Sequence, residues 1–75
     1  MKLSDIPNGT RVRVVKFVEN MSNVSTLLGL GIIPGDELTV INKALSGGPI
    51  LIRHGESSFF ALRANEANLI EIEVL

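Results

Sequence analysis

Turn-forming residues recur along this chain at such short intervals that only short strands and one small helix fit between them. Pro7-Asn8-Gly9, Gly31, Pro34-Gly35-Asp36, Gly47-Gly48-Pro49 and Gly55 are the breaks. Proline presets one backbone dihedral and Asn-Gly tolerates a positive one, so each cluster reverses the chain cheaply. The segments between them carry the period of two expected of strands. Glu37 to Asn42 alternates strictly, with Leu38 and Val40 on one face and Thr39 and Ile41 on the other. Arg11 to Val18, Ile50 to Arg53, Ser58 to Leu62 and Leu69 to Val74 are the other four strands. In the first, Val12, Val14 and Lys16 share one face and Arg13, Val15 and Phe17 the other. Neither face is purely polar, which predicts a strand covered on both sides. Ile70, Ile72 and Val74 fall together in the last strand, and Phe60 and Leu62 turn inward while Phe59 points out.

Between the first two strands the period changes. Val24, Leu27 and Leu28 sit at i, i+3 and i+4, with Met21 a turn earlier, which predicts a helix over 20–30. Asn20 or Ser22 can cap its amino end, and Gly31 can end it in the left-handed conformation. Residues 65–68 read as one tight helical turn. Five short strands and one small helix make an all-β fold, a compact five-stranded barrel whose closure would remove exposed edges.

At 75 residues, with no cysteine to supply disulfides or a thiolate zinc site, the chain reads as one domain over 1–75 that lives on its apolar core. The apolar share is 45% and the aromatic share only 4%, so Val, Ile and Leu must fill that core. A net charge of −1 without clustered Lys or Arg argues against nucleic acid, whose binding rests on phosphate neutralisation. No basic-then-apolar leader opens the sequence, and no run is long enough to cross a bilayer. A soluble, cytoplasmic protein without direct membrane insertion is the expectation.

Chemistry has little footing. Gly47-Gly48 lacks the Lys-Ser/Thr and following helix of a phosphate loop. His54, the lone histidine, stands near Ser57 and Ser58 without a third group to orient it, so no catalytic residue and no enzyme are expected. With Glu56, or with Asp36-Glu37, it supplies too few ligands for a dedicated iron or zinc site, and reads as a solvated hairpin tip. No metal site or cofactor is expected. Arg63 and Glu66 are spaced to pair across a helical turn. The surplus lies elsewhere. Met21, Val24, Leu27, Leu28, Leu30, Ile32 and Ile33 are more aliphatic residues than one short helix needs to anchor itself. Part of that set should stay exposed for a partner, and Met21, Val24, Leu28 and Ile33, with outward Phe59, are the candidates.

The ordered signals also resemble the FeoA domain family. Thr26-Leu27-Leu28-Gly29-Leu30-Gly31-Ile32-Ile33-Pro34-Gly35 followed by Asp36-Glu37-Leu38-Thr39-Val40 is similar to that family's R-L-x-x-L-G-[aliphatic]-x-P-G-x-x-[aliphatic]-x-[aliphatic] segment. Leu3 to Gly9, Gly47 to Ile50 and the Phe60-Ala61-Leu62-Arg63-Ala64-Asn65-Glu66-Ala67 run resemble its opening, loop and A-L-R-x-x-E-A signatures. Thr26 replaces the usual arginine and Leu45 the usual proline. The resemblance implies an SH3-like barrel. It also implies a non-enzymatic accessory of bacterial ferrous iron uptake that contacts the cytosolic GTPase domain of a FeoB-type permease. A metal-responsive binding or sensor module is the alternative, and weak homo-oligomerisation stays open.

Overall fold

A computed structural model describes residues 1–18, 21–44 and 47–75, without the side chains of 21–23 and 26. The expected caps Asn20 and Ser22, the Met21 side chain, and the departures at Thr26 and Leu45 therefore lie outside the described parts. A 3-10 turn at Leu3–Asp5 leads into β1 (Arg11–Phe17), α1 (Met21–Gly29), β2 (Glu37–Lys43), β3 (Ile50–His54), β4 (Ser58–Leu62), α2 (Ala64–Ala67) and β5 (Ile70–Val74). All five expected strands are present. They form one antiparallel sheet in the order β4-β3-β2-β1-β5, wrapped around a single core.

That core is entirely aliphatic, and no polar or charged side chain is buried in it among the described residues. Val12 and Val14 of β1, Leu38 and Val40 of β2, Ile50 and Ile52 of β3, Leu62 of β4, and Ile70 and Ile72 of β5 point inward. Leu3 and Ile6 close one end. Without aromatic bulk, the stability of so short a chain comes from burying many branched side chains together, each contributing about 1.5–3 kcal/mol on leaving water. Val74 departs from the expected face pattern. It is exposed at the strand end, beyond the reach of the core.

β1 corrects the expectation of a strand covered on both sides. Its outer face carries Arg11, Arg13 and Val15, none of them buried. The arginines are neutralised from neighbouring strands, Arg11 by Glu37 at 2.6 Å and Arg13 by Glu73 at 3.2 Å, so this face needs no apolar cover. The register between β1 and β5 shifts between Val14 and Lys16, the signature of a bulge. One extra residue reverses the alternation beyond it. Lys16 therefore leaves the inner face, opposite Glu71, while Phe17 turns to pack against the core opposite Ile70.

The helix exit and the turn after it are fixed by backbone bonds. The Ile32 N–H donates to the Leu27 carbonyl at 3.3 Å and the Gly31 N–H to that of Leu28 at 2.9 Å, with Gly31 at φ +85°. This is the Schellman arrangement, in which the residues at the two ends of the longer bond meet as an apolar pair. Leu27 and Ile32 are that pair, and both are fully buried. The next turn, Ile33 to Asp36, has the expected type II character. Gly35 sits at φ +97° and the Asp36 N–H donates to the Ile33 carbonyl at 3.1 Å. The same turn docks on β1, because the Gly35 N–H donates to the Val14 carbonyl and the Val14 N–H to the Asp36 carbonyl, both at 2.8 Å. A Cβ on Gly35 would meet nothing within 4 Å, so the cost of Gly35→Ala is conformational alone. It is expected to destabilise the protein by about 1–2 kcal/mol in urea denaturation.

The sheet is not sealed at both ends. β5 is covered on its outer side by the amino terminus, where Lys2 bridges to Glu71 and the Ile72 N–H donates to the Met1 carbonyl at 2.8 Å. β4 pairs with β3 and, among the described residues, with no second strand. The expected edge-free ring is thus open along β4 among the described residues.

Candidate functional site

Six residues after Leu27 hold most of the exposed aliphatic surface of the α1–β2 connection. The Schellman pair takes Leu27 and Ile32 inward, and the helical and turn geometry then leaves their neighbours outside. Leu28 is 50% exposed, Leu30 44% and Ile33 52%, with Val24 half-buried one turn earlier. Large aliphatic side chains left open together on a small domain make this flank the candidate contact surface. Of the expected partner residues, Val24, Leu28 and Ile33 belong to this flank, and Leu30 joins them. Met21 enters the same helix, with its side chain outside the described parts. Phe59 is exposed too, at 58%, and stands elsewhere: it projects from β4 on the face opposite that of core-packed Phe60.

The flank is held from behind by Asp36. Its carboxylate accepts the Ile33 N–H at 3.1 Å and lies 2.9 Å from Nε2 of His54, at the end of β3. With its proton on Nε2, His54 donates to Asp36; when doubly protonated it adds an ion pair. The imidazole also meets the Phe60 ring edge-on, with centroids 6.0 Å apart. His54 is therefore no solvated tip. Its side chain is 23% exposed and ties the exposed turn to the middle of the sheet. The separation of 18 residues hides this pair from any local pattern. Asp36→Ala removes both bonds and is expected to cost about 1–2 kcal/mol of stability, measured by thermal unfolding.

Asp36 and His54 border an open cleft of about 690 Å³, shared with Arg11, Glu37, Thr39, Arg53 and Glu56. Acidic and basic groups are mixed along it, and Arg11 is already paired with Glu37 at 2.6 Å, so the cleft presents no field of one sign to a charged ligand. Two potential metal donors meet in the Asp36–His54 pair, and no group of three gathers among the described residues. Arg63 and Glu66 meet differently from the expected ion pair. Glu66 accepts the backbone N–H of Arg63 at 2.9 Å and so caps α2. The guanidinium makes no ion pair among the described residues.

Comparison with known proteins gives these features a setting. The chain matches the FeoA domain model over residues 1–74. Iron(II) transport protein A of Clostridium thermocellum shares 35% identity at a TM-score of 0.90, and the match covers 100% of this chain and 46% of that one. A FeoA-like protein of Clostridium acetobutylicum shares 29% identity at a TM-score of 0.91, with 100% and 86% covered. Stenotrophomonas maltophilia FeoA, solved with zinc, shares 30% identity at a TM-score of 0.83, with 97% and 89% covered. That protein is described as a prokaryotic SH3 domain protein, with a suggested role as a ferrous iron transport activating factor. No curated protein sequence matches this chain. Matched over 74 of its 75 residues and alike in fold to solved members, the chain belongs to the FeoA domain family.

Proposed function

We propose that this protein is a non-enzymatic accessory of ferrous iron uptake. It works by pressing the aliphatic flank of Val24, Leu28, Leu30 and Ile33, with Met21, against the cytosolic GTPase domain of a FeoB-type membrane permease. The observation that carries this reading is the flank itself. Three large aliphatic side chains between residues 28 and 33 stay exposed while the backbone beneath them is pinned by the helix-ending bonds and by the Asp36 clamp. A surface fixed in advance loses little conformational freedom on docking, which favours specific association. Family membership and the iron transport roles in the relatives' names support a place in ferrous iron transport, and the permease's GTPase domain is the partner proposed for it.

The accessory reaches the membrane through its partner, since no helix among the described residues is long and apolar enough to span a bilayer. Its proposed location is the cytoplasm, where a permease's GTPase domain is accessible. The test is a titration of the chain into that domain in its nucleotide-free, GDP and GTP-analogue states. Saturable one-to-one binding in at least one state supports the proposal. Absence of binding in all three, together with anaerobic Fe(II) binding that His54→Ala abolishes, would replace it with the sensor reading.

A further inference from the structure

We infer that the open edge of β4 is a self-association site, at which a second copy of this chain adds its own β4 in antiparallel alignment. Each other strand of the sheet has cover on both sides, β5 through the amino terminus. Alternate residues of β4 direct their N–H and C=O groups away from β3, and the strand carries none of the devices that usually protect an edge. Ser58-Phe59-Phe60-Ala61-Leu62 contains no charge and no proline. Its register with β3 runs without a shift through five pairs, from His54↔Ser58 to Ile50↔Leu62. The outer surface beside it is apolar at Phe59, Ala61 and Leu51, with the half-buried Arg53 as the one charged side chain, paired with Phe59. Phe59 and Ala61 are exposed, and Leu51, paired with Ala61, is 37% exposed.

The occupant follows from self-complementarity. A two-fold axis through Phe60 sets Phe60 against the same residue of the second copy. The half-buried rings then cover one another as an aromatic cross-strand pair. The bulky Phe59 faces the small Ala61 of the second copy, twice by symmetry. Continued one step past the strand, the same register sets Arg63 opposite Ser57 of the second copy, beside its Glu56. Arg63 and Glu56 are both exposed and make no ion pair within the chain among the described residues. Each is supplied with a partner of opposite sign, again twice. An unrelated strand would meet the backbone edge equally well but would not match both the size pattern and the charges.

Sedimentation equilibrium of the full chain from micromolar to millimolar concentration tests this. A reversible monomer–dimer equilibrium is expected. Phe59→Lys is expected to weaken it about tenfold or more, because a two-fold interface feels each substitution twice. Arg63→Glu and Glu56→Arg are each expected to weaken it, and the double exchange to return it to within about threefold of the parent. All three substituted positions are exposed, and unchanged thermal unfolding confirms that the fold persists. A chain that stays monomeric to millimolar concentration overturns the inference. So does a dimer indifferent to Phe59→Lys, or one that the double exchange fails to restore.

Discussion

Ile52→Ala is expected to remove about 3–4 kcal/mol of folding stability, the cost of leaving a cavity where a branched side chain had no exposure. Ile52 lies at the middle of β3, paired with Val40 on one side and Phe60 on the other. It belongs to the central layer of the core and has no polar neighbour to relax into the gap. A domain of this length holds only about 4–11 kcal/mol in total, with no disulfide, and no buried ion pair among the described residues, to compensate. The melting temperature should fall by about 20 °C, read by circular dichroism. Ile41→Ala, at the β2 bulge and 36% exposed, is the control and should change stability by under about 1 kcal/mol. Similar losses at the two positions would mean that the core is not organised as described.

Leu28→Asp combined with Ile33→Asp should do the opposite: spare the fold and remove the proposed contact. Both side chains are half open to solvent, so charging them asks nothing of the core, whose share of this segment is carried by Leu27 and Ile32. Two anchor positions at the centre of an interface are together expected to reduce affinity for the permease's GTPase domain by about a hundredfold or more. Unfolding should shift by less than about 1 kcal/mol. Leu27→Asp provides the contrast, because it buries a charge and should unfold the protein before binding can be measured.

These outcomes follow from features that differ in how far the sequence reveals them. The strand segments were legible because turn signals separate most of them and, in β2, the alternation holds from Glu37 to Val40, up to the bulge at Ile41. Which aliphatic residues of 24–33 enter the core was not. Helical spacing groups Val24, Leu27 and Leu28 together, whereas the helix-ending bonds select Leu27 and Ile32 and leave Leu28 outside. The bulge in β1 was equally hidden. One extra residue after Val14 exchanges the faces of Lys16 and Phe17, and nothing in Val14-Val15-Lys16 announces it. Pairing of Asp36 with His54 depends on the β2–β3 register, where Leu38 lies opposite His54, so it belongs to the sheet rather than to any motif. Glu66 was legible as a partner for Arg63 by spacing, but the group it satisfies is the backbone N–H of a helix end.

The flank also explains why fold and contact can be separated experimentally. Gly31 and Gly35 hold the backbone in conformations with positive φ, Asp36 binds the turn to β3, and the aliphatic side chains above them take no part in either task. A chain that only needed to fold could carry polar residues at positions 28, 30 and 33. Their aliphatic character is therefore the feature on which the proposed partner contact rests.

The decisive measurement is amide and methyl chemical-shift mapping of the isotope-labelled chain as the unlabelled GTPase domain of the permease is added. Perturbations concentrated on Val24, Leu28, Leu30 and Ile33, fading across Asp36 and His54, are the predicted result. Perturbations confined to the charged outer face of Arg11, Arg13 and Glu73, with the aliphatic flank silent, would contradict it.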